Sequence, residues 1–491
     1  MHQKNVSIKF NFIMNALLTM SSFVFPLITF PYVSRILEPT GLGRVSFAQS
    51  LVSYFLIFSE LGISSYGIRI TAQLRDDKLK LSRNTQELFA INLFMSLVAY
   101  ATLILAICML PKLRDNAELI LICSVSIFFN ALGMEWLYKG LEQYTYITCR
   151  SLLFKTISLV LIFVFIHTSA DYKAYAMLTV FATSASGILN FINVRRYISL
   201  KPCFGYEFRH HFKAIFTFFA MSCATTIYTN LDTVMLGFMS NNTEVGYYNA
   251  AIRFKVILVA AVTSLGTVLL PRASYYAEQG KTDELKRIIG IAFNFVVVAA
   301  LPLMVYFIIF ARESILFIAG ADYMPSVVPM QIIMPTVLLI ALSNVTGIQI
   351  LVPLGGERFV LYSEIIGAVI DIIINTLLIP SYGASGAAIG TLIAEIAVLA
   401  VQTYYLTHIH KEYLSTLKGI RYDKIIISVI VASVAGILAK SLELHVFIVL
   451  IISACIYFGI YGMLLIIMRE QFVADTFTQL TAKLKAGRKR A

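Results

Sequence analysis

Long apolar runs separated by short polar connections fill the chain from about residue 12 to residue 468. About twenty apolar residues span the hydrocarbon of a bilayer as a helix, and a helix satisfies its own backbone polar groups there. Fourteen such runs are expected to be helices. The first six cover 12–37, 43–68, 88–110, 117–139, 146–167 and 173–194. The next six cover 213–239, 246–270, 289–311, 326–352, 359–379 and 386–407, and the last two 424–441 and 446–468. The run Asn11–Leu37 is longer than a signal-peptide core and lacks an A-x-A cleavage pattern, so it is expected to stay in the mature protein.

The connections alternate in charge. Those on the side of the amino terminus hold 29 of the 39 Lys and Arg residues, and those on the opposite side hold seven. The remaining three, Lys155, Arg253 and Lys255, lie inside apolar runs. Cytoplasmic connections carry the excess of Lys and Arg, which places both termini in the cytoplasm. The expected fold class is therefore an all-α polytopic membrane protein. Composition agrees: 58% of residues are hydrophobic, only 13% are charged and the mean hydropathy is +0.80, against about 25% charged in a soluble domain. The net charge of +12 is then a topology signal, and no nucleic-acid partner is needed to explain it. The KLKAGRKR run near the carboxyl terminus is expected on anionic headgroups.

A shift of 203 residues lays TGLGRVSFAQS over TEVGYYNAAIR, with Thr40 on Thr243 and Gly43 on Gly246. Arg69 falls on Arg272, and each opens a basic cytoplasmic loop. Each unit holds six helices, so the halves share one orientation in the membrane and form a parallel repeat. The expected organisation is a six-helix lobe over 1–197, a second over 198–410, and two additional helices with a basic tail over 411–491. A central cavity is expected where two such bundles meet. Pro26 and Pro31 in the first helix, Pro302 in the ninth and Pro335 in the tenth each remove a backbone hydrogen bond and bend their helix. They serve either as hinges or as fixed kinks.

Charge inside a bilayer costs about 2.5–3.5 kcal/mol or more and normally faces water or a partner. Asp232 and Arg253 each lie seven residues from the turn joining the seventh and eighth helices, roughly 10 Å below the surface at the rise of a helix. They are expected either to pair or to line a cavity. Lys255, two residues on, points to another side of its helix. Ser151, Lys155 and Ser158 follow a helical spacing and are read as a polar stripe. Lys155 is too near mid-membrane to snorkel out easily, and a cavity-facing role is favoured for it. Glu364, Asp371 and Asn375 share one face of the eleventh helix, and Glu395 lies midway along the twelfth. These acids either carry a coupling proton or sodium ion or pair structurally, with Lys155 as one partner across the cavity. Arg35, beside the first periplasmic turn, either guards the outer mouth or snorkels. Glu60 and Glu135 lie toward cytoplasmic helix ends and are weaker candidates.

The six cysteines form no CxxC pair and the seven histidines no metal spacing, so the cysteines are expected to be buried free thiols. No GxGxxG, Walker-type or GxSxG motif is present. No cofactor, metal or catalytic residue is expected, and the short periplasmic connections leave no room for a glycosyltransferase or polymerase domain.

FPLITFPYVSRILEPTGLGRVSFAQS followed by FSELGISSYGIR resembles the amino-terminal signature of Wzx-type polysaccharide flippases, in the multidrug/oligosaccharidyl-lipid/polysaccharide exporter superfamily. NLDTVMLGFMSNNTEVGYYNAAIRF resembles the start of that family's second half. The resemblance implies alternating-access movement of undecaprenyl-diphosphate-linked oligosaccharide, with O-antigen units as the favoured cargo, to the periplasmic leaflet of the bacterial inner membrane. It also implies a cationic cavity, with Arg35, Asp232 and Arg253 at charged positions of the family-like stretches. Work beside a polysaccharide polymerase and chain-length machinery is implied as well. Lys155, Lys255, Glu364, Asp371 and Glu395 rest on the helix-face reading alone. The competing reading is a cation-coupled multidrug exporter of the same fold, which calls for an acidic, aromatic cavity and is opposed by the three intramembrane cations.

Overall fold

The computed structural model describes residues 8–203, 205–409, 411–414, 421–441, 444–470 and 472–474. The KLKAGRKR run lies outside the described residues. Every one of the fourteen apolar runs falls on helix. Among the described residues, nine helices are long and apolar enough to cross a membrane, and a pair bent by 40° at Pro335 makes a tenth. The chain is an all-α, multi-pass membrane protein.

The chain divides into two compact units, one ending at Gly246 and the other starting at Tyr247. In the first, α1 (Ile8–Glu60) carries the first two apolar runs, and its backbone leaves helical geometry at Glu38, with φ 58° and ψ 172°. The second run is broken again by Leu61 and Gly62, both at positive φ. There follow α2 (Ile63–Leu74), α3 (Lys78–Met109), α4 (Ala117–Gly133), α5 (Glu135–Gly140), α6 (Tyr144–Phe165), α7 (Tyr172–Ser184), α8 (Ser186–Asn193) and α9 (Phe208–Met239). Met134 takes the left-handed conformation at φ 40°, which is uncommon without glycine, and turns α5 away from α4.

The core of this unit gathers around Leu88, Leu137, Tyr138 and Ile147. A polar latch lies beside it. Tyr66 Oη and His211 Nδ1 are 2.9 Å apart, and His211 Nε2 lies 2.8 Å from Glu87. Arg83 bridges Glu87 at 3.2 Å and Glu207 at 3.0 Å. These bonds fix the start of α9 to α2 and α3. At the opposite end Lys112 donates to the carbonyls of Phe238 and Ser240, at 3.0 and 2.8 Å, and so closes the carboxyl end of α9. A lysine at that position serves both the unpaired carbonyls and the helix dipole.

The two turns that the 203-residue shift superposes touch each other. Thr40 and Thr243 share a hydrogen bond at 2.8 Å. A Cβ on Gly43 would lie 1.7 Å from the carbonyl oxygen of Asn242, and one on Gly246 would lie 2.1 Å from that of Pro39. The matched glycines are there because backbone meets backbone.

In the second unit, α10 (Asn242–Glu278), which begins just before the boundary, leads to α11 (Thr282–Ile309), α12 (Ala311–Ile318), α13 (Val327–Ile333) and α14 (Pro335–Asn344). A π-helical stretch, Val345–Leu351, continues α14. Next comes α15 (Glu357–Ile409), two helices that reverse direction at Gly383, with φ 51° and ψ −127°. The last helices are α16 (Tyr422–Leu438) and α17 (Val446–Ile467). Pro302 leaves the carbonyl of Val298 without its intrahelical donor. Tyr461 Oη on α17 supplies that donor at 2.7 Å, and Tyr457 Oη bonds the carbonyl of Pro302 at 3.1 Å. The backbone around Pro302 is thus where α17 docks on α11.

The cysteines are free, but only Cys123 is buried, while Cys108, Cys149 and Cys455 are exposed. The expectation of buried thiols is corrected here. An apolar helix turns part of its surface outward to lipid, and a thiol is apolar enough to sit there.

Candidate functional site

The expected site residues divide between the units. Arg35, Lys155 and Asp232 belong to the first. Arg253, Lys255, Glu364, Asp371 and Glu395 belong to the second.

Arg35 is exposed, one turn before the break at Glu38, and donates back to the carbonyl of Pro31. Lys155 donates to Ser21 at 2.8 Å and to Ser22 at 3.0 Å, which ties α6 to α1 within the membrane-spanning stretch. The polar stripe on α6 is split by its neighbours. Ser158 is buried and bonds the carbonyl of Leu178 on α7 at 2.8 Å, while Lys155 turns to α1. Lys155 thus meets two neutral hydroxyls within the apolar run. Asp232 is buried on α9, and Arg253 and Lys255 are half-buried on α10.

The second unit concentrates its buried polarity in the α15 hairpin. Asn375 donates to Asp371 at 3.1 Å, and both are buried. The facing arm comes close because Gly390 lacks a side chain: a Cβ there would lie 2.1 Å from Asn375 Oδ1 and 2.9 Å from Asp371 Oδ1. One residue on, Thr391 shares a 3.0 Å hydrogen bond with Tyr248 of α10. Glu395 is buried one turn farther along, and Glu364, two turns before Asp371, is half-buried. Asp371, Asn375 and Thr391 thus place a carboxylate, an amide and a hydroxyl at buried positions of one hairpin.

Two cavities accompany these groups. One, about 390 Å³, is apolar, belongs to the second unit and is lined by Phe293, Leu301, Leu342, Leu399, Tyr422 and Ile426 among others. The other, about 190 Å³, lies in the first unit and is lined by charge: Glu60, Glu135, Lys139 and Arg150, with Asn130 and Asn190. Glu135 accepts from Lys139 at 2.9 Å and from Arg150 at 3.2 Å. Ser64 donates to Glu60 at 2.5 Å, and Asn190 to the carbonyl of Gly133 at 2.6 Å. Sequence reasoning ranked Glu60 and Glu135 low and passed over Arg150. One signal was available: Glu135 and Lys139 stand at i and i+4. What assembles the cavity is the left-handed turn at Met134 and the contact of Gly133 with Gly187, neither of which has a pattern along the chain.

The sequence model of the family described as "Polysaccharide biosynthesis protein" matches residues 8–277, more than half the chain, and the MatE model matches 218–377. A relative in Escherichia coli strain K12, named "Putative O-antigen transporter", is 24% identical over 417 residues, which cover 83% of this chain and 98% of that protein. Among solved structures, "Lipid II flippase MurJ, inward closed conformation" is similar with a TM-score of 0.71 at 18% identity, over 93% of this chain and 99% of that one. An inward-facing multidrug resistance MATE family transporter is similar with a TM-score of 0.61 at 13% identity, over 83% and 99%. These structural likenesses show a shared fold.

Proposed function

Because the chain belongs to the polysaccharide biosynthesis protein family, we propose that it moves an undecaprenyl-diphosphate-linked oligosaccharide, an O-antigen repeat unit, across the bacterial inner membrane. The cargo starts in the cytoplasmic leaflet and ends in the periplasmic one. The protein is a transporter of fourteen spans with both termini cytoplasmic, built of lobes over 1–197 and 198–410 with two further helices. The polysaccharide polymerase and chain-length machinery receive its product.

The observation that carries this reading is Lys155, a cation kept inside an apolar span by two serine hydroxyls. A diphosphate crossing hydrocarbon needs fixed positive charge along its path, and Lys155, Arg253, Lys255 and Arg35 supply it. The apolar cavity of the second unit suits a polyprenyl chain. Asp371 and Glu395, with Asp232 and Glu364, are assigned to the coupling proton or sodium ion that drives alternating access. The match to the MatE model favours one second reading, a cation-coupled multidrug exporter. Cations along the path oppose it, since an organic cation would meet like charge.

The test is complementation of a host lacking its own flippase. Wild-type protein restores surface glycan, whereas Lys155→Ala and Arg253→Ala insert normally and fail to restore it. Normal display by both variants at matched expression overturns the cationic path. Drug resistance conferred without glycan display selects the exporter instead.

A further inference from the structure

The connection before α9 joins the two halves of the sequence repeat, and it is bonded to one helix at 199, 201, 203, 206 and 207. Gln86, near the start of α3, is the hub. Its amide nitrogen donates to the carbonyls of Ser199 and Lys201, at 2.8 and 2.9 Å. Its amide oxygen accepts from Tyr206 Oη at 2.7 Å and from the N–H of Cys203 at 3.3 Å. One turn earlier, Ser82 accepts from the N–H of Ser199 at 2.9 Å, and next to Gln86, Glu87 accepts from the N–H of Glu207 at 2.6 Å. A side-chain amide both donates and accepts, whereas a carboxylate in its place only accepts.

The far end of the connection is held more deeply. His211 lies between Tyr66 and Glu87, and Arg83 joins Glu87 to Glu207. Glu87 and His211 are only 2% and 1% exposed. One turn on, backbone meets backbone: a Cβ on Gly62 would lie 2.7 Å from the carbonyl oxygen of Ile215 and 2.4 Å from the nitrogen of Phe219. Lifting the start of α9 away would strip Glu87 of His211 and of the Glu207 N–H together, and a buried charge that loses its partners is costly. A hinge has the opposite character, with few buried contacts and backbone hydrogen bonds open to water. All these partners lie within the first unit.

We propose that 199–203 and 205–211 form a fixed strap, which stays on α3 throughout the transport cycle of the flippase reading. The joint between the sequence halves is then not the joint between moving parts. Motion between the halves is taken up beyond Ile215, and Gln86 is the positioning residue that sets where it begins.

The test locks the strap covalently. In a parent with its six cysteines replaced by serine, Ser82→Cys is combined with Ser199→Cys, and separately Arg83→Cys with Glu207→Cys. Cells are treated with a short, membrane-permeant bismaleimide, and mass spectrometry gives the cross-linked fraction. Glycan exported after treatment is pulse-labelled. Either pair is used if it displays glycan before treatment as the parent does. The expected result is no loss of export rate at any cross-linked fraction. A loss in proportion to that fraction overturns the strap. Amide exchange of the purified full-length parent gives a second reading that needs no transport. The amides of Ser199, Cys203 and Glu207 should exchange as slowly as the first turns of α3, and Gln86→Glu should speed the first two. Exchange at unfolded-chain rates in the parent overturns the proposal as well. No display by the untreated parent, with these amides protected, would contradict the flippase reading and not the strap.

Discussion

At Lys155 a structural role and the proposed chemical one can be told apart. Its bonds to Ser21 and Ser22 join two helices, and its charge is what a diphosphate would read. The two roles separate by mutation. Lys155→Met removes charge and bonds together, while Ser21→Ala with Ser22→Ala removes only the bonds. We expect Lys155→Met to abolish glycan display and the serine pair, which loses two hydrogen bonds but keeps the charge, to lower it only in part. Equal losses, measured at matched membrane levels, would make Lys155 a tether only. Asp371 permits a parallel test. Asp371→Asn keeps an acceptor for Asn375 and loses the charge. Insertion at the wild-type level with loss of display is expected, and full display would make the pair purely structural.

Among elements, α17 docks where Pro302 interrupts the hydrogen bonding of α11. Tyr461→Phe strips the donor from the carbonyl of Val298, which Pro302 has already deprived of its own. A loss of about 1–3 kcal/mol is expected in detergent melts. Pro302→Ala supplies a backbone N–H to the same carbonyl, so in that background Tyr461→Phe should cost much less. Equal cost in both backgrounds would refute the account. The paired turns make a second prediction. A Cβ on Gly43 meets backbone at 1.7 Å, whereas one on Gly390 meets first a side-chain oxygen, at 2.1 Å. Backbone yields less readily than a side chain, so Gly43→Ala should reduce the yield of folded protein more than Gly390→Ala does, as read by size-exclusion chromatography.

For the whole molecule, topology rests on the distribution of charge between connections. The basic connections share the side of the amino terminus, so a fluorescent protein fused after residue 491 should fluoresce and an alkaline phosphatase fused there should be silent. The reverse pattern would invert every leaflet assignment above, and with it the direction of transport.

The sequence by itself determined the solvent of this protein, its helical class and its family. Each is written in local periodicity and composition, because a bilayer demands the same twenty-residue solution wherever it is crossed. It also marked Lys155, Asp371 and Glu395, since charge in an apolar run stands out without any structure. What only the tertiary structure decided is which of these groups meet. Lys155 and its serines are more than 130 residues apart, and the stripe with Ser158 dissolved because two neighbouring helices claimed its members. Arg150, Glu135 and Asn190 became one cavity through a left-handed turn at Met134 and a glycine contact, features of backbone geometry that leave no periodic trace. Helix faces are set by neighbours along the chain, but a site is set by neighbours across it.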